Sequence, residues 1–510
     1  MGTRRDFVVQ GAALAGALAL PQAASAAPDK IGIAIGEDPS TLDQSASWTG
    51  VDYQIAENYG EFLVQRTPAG ELKPGLASAW KVAPDGKLIE FTLRKDVKFH
   101  SGDPFTAKDV LFSFERGRVK SSTSKTRLAS VERIEAVGDY GVKVFFKAPD
   151  VTFIPNRGGV MMVSKAYFDR VGEDAFAKQP VGTGPYKLVR YASGESLDLE
   201  RFAGYWGDKP KIAEARFFFI PEDTTRVAKL KAGEVDLINA CPYSAVKDLE
   251  SRKDFKLVKL PVDHPTMSVV FATQNPKTPW HDRRVRLAMA YAVNTDAIIK
   301  NVLGGIPNHW VFLAPHELGY DPALKHYPYD PAKSRALLAE AGYSNGFDLK
   351  LYYATTGRVQ MNAQLAEAIA AYFEAVGIRT RLVGEEWLAY RSRYNASRKP
   401  TAEYVALFTH GRAGSPDPTY NVSLFFGKDG PISTYANADL DQLNADAKAT
   451  VDDAKRAELI RKEVRLIQED VPSFPIYNNV TVYAMKSNVV FKPTLKYNLD
   501  LTLVKDMSFA

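Results

Sequence analysis

Apolar and polar residues alternate with a period of two at Leu88 to Leu93 (L-I-E-F-T-L), the pattern of a half-buried strand. Residues 30–35 (K-I-G-I-A-I) and 213–220 read as further strands. V-E-R-I-E-A-V and V-K-V-F-F-K, joined by Gly-Asp-Tyr-Gly, predict a hairpin over 131–147. Thr106 is placed to cap a helix whose inner side would carry Val110, Phe112 and Phe114. A second helix is expected at about 223–232. A long one is expected from Asp282 to Val302, with Val285, Leu287, Ala288, Ala292 and Ile298 apolar. Pro331 opens a helix that Gly342 closes, proline in the first turn and glycine just past the end. Strand Phe347 to Tyr353, helix Asn362 to Val376 and strand Ile378 to Val383 form a unit that predicts a parallel α/β sheet. One more helix is expected from Ala454 to Glu469, and the chain turns strand-like again from Thr481.

Strand-rich sequence thus fills the first half and α/β sequence the second, with a strand-like tail. A chain of 510 residues is too long for one hydrophobic core, since cores stop growing near roughly 250–300 residues. The expected organisation is a first lobe of residues 27–268 plus 482–510 and a second lobe of residues 269–481. The chain would cross between them twice. Two crossings make a hinge on which lobes close over a ligand.

The start of the chain has its own pattern. Arg4 and Arg5 precede an apolar stretch from Gly11 to Leu20, then Pro21 and Ala24-Ser25-Ala26. This is the layout of a secretory signal, here of twin-arginine type, with cleavage expected near Ala26 and the product in the periplasm. The apolar stretch is shorter than the roughly 20 residues a spanning helix needs. No cysteine follows the small residues to carry a lipid. Net charge is +5 with charges interspersed, so no basic run points to nucleic acid. The single cysteine, Cys241, excludes an internal disulfide and any C-x-x-C pair, and is expected as a small core residue. There is no G-x-S-x-G elbow, H-E-x-x-H helix or phosphate loop, so no catalytic role is expected.

Residues 93–116 read L-R-K-D-V-K-F-H-S-G-D-P-F-T-A-K-D-V-L-F-S-F-E-R. With P-V-G-T-G-P-Y at 180–186, Tyr205-Trp206, L-K-A-G-E-V-D at 230–236, D-R-R-V-R-L-A-M-A-Y-A at 282–292 and stretches at 330–342 and 470–478, this ordered set resembles the extracellular solute-binding proteins of family 5. Those are the dipeptide, oligopeptide and nickel binders of ATP-driven importers. The resemblance implies a two-lobed α/β periplasmic binding fold with a hinge, and an extra subdomain in the first lobe near 60–175. It implies a monomer that binds a small-molecule or peptide ligand and hands it to the permease and ATPase subunits of an importer, with no cofactor and no resident metal. The motif residues read mostly as scaffold: Gly182 and Gly184 permit unusual backbone, Pro185 fixes a turn, and His100 is expected in a structural turn.

In dipeptide and oligopeptide members an aspartate just before an acidic-Pro pair holds the ligand's ammonium group. Here the loop is T-H-G-R-A-G-S-P-D-P-T-Y, residues 409–420. Asp417-Pro418 supplies the pair, but the aspartate's position is Gly414. A buried ammonium without a charge partner is costly, so capture of a free α-amine in that pose is in doubt. Asp417 could substitute, or could brace a turn. Arg412 in the same loop presents a fork suited to carboxylate or phosphate, and for Arg358, after the strand 347–353, the resemblance to dipeptide members implies an arginine that holds the ligand's carboxylate, in a loop here about two residues shorter. Trp387 and Trp48 are candidate walls of the cleft, and His410 a candidate contact. Two arginines and no amine-binding aspartate predict an anionic or amine-blocked ligand: a modified peptide, a glutathione-like or opine-like conjugate, or a sugar phosphate. Alternatives are a nickel chelate, to which His410 would suit, and a chemoreceptor-presenting binder or chaperone on the same fold.

Overall fold

The computed structural model describes residues 29–46, 50–67, 71–119, 122–260, 266–307, 309, 311–315, 317–355, 361–410, 417–491, 493 and 502–510. Three larger sheets organise them, beside two two-stranded ones, Val64–Arg66 with Leu72–Pro74 and Val489–Phe491 with Met507–Phe509. The first sheet runs, in spatial order, Phe255–Leu260, Thr481–Lys486, Leu237–Ile238, Lys30–Ile35, Glu214–Phe219, Ser196–Arg201 and Tyr186–Ala192. Lys30–Ile35 lies parallel to both Glu214–Phe219 and Leu237–Ile238. The second sheet runs Arg379–Glu385, Asp348–Ala354, Val405–His410, Thr266–Phe271 and Ser473–Asn478. Its first three strands are mutually parallel. The third is antiparallel, Ala77–Val82, Leu88–Leu93, Gly141–Phe146 and Val131–Val137.

The period-two patterns explain these sheets. Ile31, Ile33 and Ile35 enter one core with Tyr53, Tyr59 and Tyr483, while Ala34 between them enters another with Cys241, Val482 and Ala484. That second core continues without a break into Val269, Phe271, Val405 and Leu407 of the second sheet, so the two large sheets share an apolar layer. The far face of the second sheet packs Val270, Ala406 and Phe408 against the helices Trp387–Ala396 and Asp453–Asp470. The antiparallel sheet has its own core with the helix Ala107–Gly117, built on Phe91, Phe99, Val110 and Phe114. That core makes it a separate subdomain within the first half of the chain.

The chain passes from the first sheet to the second after Leu260 and returns after Asn478. The lobe boundary expected at 268/269 falls inside the strand Thr266–Phe271, which lies entirely in the second sheet. The two passages lie side by side: Asn478 Nδ2 donates to Thr266 Oγ1 at 2.9 Å. Tyr243 from the first lobe donates to Val480 O at 2.9 Å and accepts from Val480 N–H at 3.1 Å.

Two local expectations are corrected. The helix expected from Asp282 to Val302 is two helices, Arg283–Ala292 and Thr295–Asn301. Asn294 leaves helical backbone between them and its side chain accepts from Ala297 N–H at 2.9 Å, a new N-cap in mid-pattern. Phe112 does not share the inner face with Val110 and Phe114. Two residues is more than half a helical turn, and its ring meets Phe168 at 5.0 Å instead.

Candidate functional site

Because Asp348–Ala354, Arg379–Glu385 and Val405–His410 run parallel, their carboxyl ends share one edge of the second sheet. Open α/β sheets bind ligands at that edge, where backbone and loop side chains converge. The segments leaving it are those that carry Arg358, Trp387 and Arg412. Arg358, Arg412 and Trp48 lie outside the described residues. His410 ends its strand paired in register with Thr266, and its side chain lies outside the description.

Trp387 is half-buried and opens the helix Trp387–Ala396, whose cap Glu386 accepts from Leu388 N–H at 2.8 Å. Its ring stacks on Tyr390 with centroids 6.0 Å apart, and Tyr390 stacks on Phe408 at 6.0 Å. Tyr394 closes on Phe408 at 3.9 Å. The Arg391 guanidinium lies 5.6 Å from the Trp387 ring centre and 5.5 Å from Phe408. Trp387 therefore ends an aromatic column rooted in the core, and Leu388 beside it is 74% exposed.

Asp417 is buried and N-caps the helix Pro418–Phe425. One carboxylate oxygen accepts from Thr419 N–H at 3.0 Å and from its hydroxyl at 2.5 Å, and the other pairs with the Arg456 guanidinium. Behind the pair, Asn444 donates to Thr419 O and to Glu463, each at 3.0 Å. Burial pushes the Glu463 carboxyl up to about 8. Lys448 donates to Ser423, and burial lowers its ammonium. This polar layer fixes the helix that follows the 411–416 loop. Sequence reading missed Arg456 and Glu463. Their signal is spacing: with Ile460 and Ile467 they occupy one face of the helix Asp453–Asp470, and all four are buried.

The first lobe has a corresponding edge after Ile35, Phe219 and Ile238. Arg226, buried on the helix Asp223–Ala232, donates to Ile220 O at 2.7 Å, Pro221 O at 2.9 Å and Ala240 O at 3.3 Å. A Cβ on Gly36 would meet its Nη1 at 3.2 Å. One guanidinium thus bonds the segments that follow two of the parallel strands and lies against Gly36 after the third, and Ala240 stands at φ 46°, a conformation costly for a residue with a Cβ. Nothing in a single sequence marks this role.

The scaffold motifs have a clear physical basis. Gly182 N–H donates to His100 Nδ1 at 3.3 Å, so that nitrogen carries no proton and Nε2–H donates to Gly184 O at 2.9 Å. Burial pulls the imidazole down to about 4. A Cβ on Gly182 would lie 1.9 Å from Tyr59 O, and one on Gly184 2.7 Å from Tyr59 C. Cys241 is buried, its thiol pushed up to about 12 by desolvation. Among the described residues no group of three His, Cys, Asp or Glu side chains is arranged to hold a metal, and no helix is long and apolar enough to cross a membrane.

The profile of bacterial extracellular solute-binding proteins, family 5 Middle, matches residues 71–432. The dipeptide-binding protein of Escherichia coli (strain K12) is 29% identical over 486 residues, covering 89% of each chain. Among solved structures, the periplasmic binding protein DppA of Helicobacter pylori with the peptide STSA superposes with a TM-score of 0.82 at 28% identity, covering 94% of this chain and 98% of its own. The binding protein AgaA of A. tumefaciens R10 with agropinic acid superposes with a TM-score of 0.79 at 25% identity, over 94% and 99%. Two α/β lobes joined by paired crossings, the subdomain, and the match over most of its length place this chain in family 5 of the bacterial extracellular solute-binding proteins.

Proposed function

We propose that this chain captures a small organic anion or an amine-blocked, peptide-like solute between its lobes and delivers it to the permease of an ABC importer. Binding of solutes for ABC import is the work of the family, and its relatives are binding proteins rather than enzymes. The observation that carries the ligand reading is the state of Asp417. It is buried, caps a helix and is paired with Arg456, so its charge already has a counterion within the protein. With Gly414 where the family's aspartate would stand, the loop 411–416 offers Arg412 and no acid. The strands Asp348–Ala354 and Arg379–Glu385, which precede Arg358 and Trp387 in the sequence, end at the same sheet edge, and these residue types suit an anion and an apolar face. That a protein of this fold is found in complex with agropinic acid is consistent with such a ligand.

The reading includes export by the leader 1–26, a periplasmic monomer, and closure of the lobes on the solute. A solute shifts the open–closed balance only through its better contacts in the closed form. The test is a thermal-shift screen of the chain from Ala27 against dipeptides, N-acetylated dipeptides, glutathione, opines, sugar phosphates and nickel with histidine. A ligand of the folded state raises the melting temperature by mass action. An anionic conjugate should raise it, and Arg358→Ala and Arg412→Ala should abolish the rise. A rise with free-amine dipeptides alone, unchanged in both variants, contradicts the reading. N-terminal sequencing of the exported protein should begin at Ala27.

A further inference from the structure

A cavity of about 650 Å³ opens between the antiparallel subdomain and the second lobe. Arg66 and Pro155 line it from the subdomain, Leu318, Tyr320, Arg456 and Arg461 from the second lobe. The two bodies come close nearby, where a Cβ built on Gly86 would lie 3.7 Å from Val451 Cγ2. Small-molecule sites occupy roughly 300–1,000 Å³ and combine apolar walls with a few polar groups. Leu72, Pro155, Leu318 and Tyr320 supply such walls.

The charges on the lining are not equally available. Of its three carboxylates, Asp417 is spent on Arg456 and its helix cap, and Glu317 accepts from Ala314 N–H at 2.6 Å. Asp453 is exposed in the first turn of its helix, where the dipole favours a negative charge. Of the guanidiniums, Arg456 is 5% exposed and paired with Asp417, and Arg461 is half-buried. On the subdomain side two further arginines back Arg66. Arg66 donates to Pro155 O, Arg127 Nη2 donates to Asn156 O at 3.0 Å, and Arg157 pairs with Glu57 at 2.7 Å. Of these three guanidiniums, Arg66 is the one that lines the cavity. Such forks suit carboxylate and phosphate oxygens.

We propose that this cavity binds an amphipathic organic anion, its carboxylate or phosphate held between Arg66 of the subdomain and Arg456 and Arg461 of the second lobe, its apolar body along Leu72, Pro155, Leu318 and Tyr320. An occupant contacts both bodies and so favours the closed arrangement. The site uses neither Arg358 nor Arg412, and stands or falls apart from the reading of those loops.

The test is calorimetric titration of the chain from Ala27 with 3-phenylpropionate, phenyl phosphate and the uncharged 3-phenylpropionamide. The two anions should bind and the amide bind about tenfold or more weakly, a difference of about 1.4 kcal/mol. Arg461→Gln and Arg66→Gln should each weaken anion binding by a similar factor, Arg461→Lys should restore part of it, and Arg358→Ala and Arg412→Ala should leave it unchanged. The comparison of acid with amide needs no variant and decides the question even if Arg66→Gln unfolds. Equal binding of acid and amide, no anion binding at millimolar concentration, or loss of binding in Arg358→Ala but not in Arg461→Gln overturns the proposal.

Discussion

Asp417→Asn separates a structural role for this carboxylate from a ligand-binding one. The substitution keeps size and shape and removes one charge. The cap survives, because an asparagine oxygen accepts from Thr419 N–H as an aspartate oxygen does. The ion pair does not survive. Its side chains are 6% and 3% exposed, so Arg456 would be left as a buried charge without its counterion. Removing one partner of a buried pair costs about 3–5 kcal/mol. In a unit of about 200 residues each kcal/mol lowers the melting temperature by roughly 2–4 °C, so the second lobe should melt about 6–20 °C below the unaltered protein. Scanning calorimetry of the chain from Ala27 measures this. Arg456→Met added to Asp417→Asn removes the stranded charge and should recover most of the loss. Ligand affinity, measured well below the lowered transition, should stay within a few-fold. A variant that melts with the unaltered protein and fails to bind would refute the argument and make Asp417 the ligand's partner.

Other consequences follow from the same geometry. His100 is pulled down to about 4 in the folded protein and titrates near 6.5 unfolded, so below about 6.5 the unfolded chain binds a proton the folded one refuses. Stability should therefore be complete above pH 6.5 and fall towards pH 4 by up to about 3 kcal/mol, and urea midpoints of His100→Asn should lack this component. Glu463 has the opposite sense: pushed up to about 8, it draws stability down as pH rises from about 4.5 through 8. Glu463→Gln should gain on the unaltered protein across that window, and parallel pH profiles would contradict it. Gly182→Ala places a methyl 1.9 Å from Tyr59 O, and a cost above about 4 kcal/mol, or no soluble protein, is expected.

The sequence carried the elements whose causes are local. The hairpin 131–147, the helix Asp223–Ala232 and the unit from Asp348 to Glu385 follow from period-two and period-3.6 patterns with glycine and proline punctuation. Gly377 at φ 95° and Gly342 at φ 90° close their helices where the pattern ends. What was not legible is long-range. Asp417 and Arg456 are 39 residues apart, and only the packed lobe shows that they pair. Arg226 looks like any charged helix residue until three strand ends are seen to converge on it. The break at Asn294 was hidden because apolar spacing continues on both sides, and capping chemistry won over periodicity. The family motifs were conspicuous because they are scaffold: the close approach of Gly182 and Gly184 to Tyr59 tolerates no other residue.

The central claim is that the cleft prefers a ligand without a free α-ammonium group. Equilibrium titration of the chain from Ala27 with matched pairs tests it most directly: a dipeptide against its N-acetylated form, and an amino acid against its opine conjugate. The account predicts that the blocked or anionic member of each pair binds at least about tenfold more tightly, since a free ammonium would be buried without a counter-charge. Tighter binding of the free-amine dipeptide would contradict it.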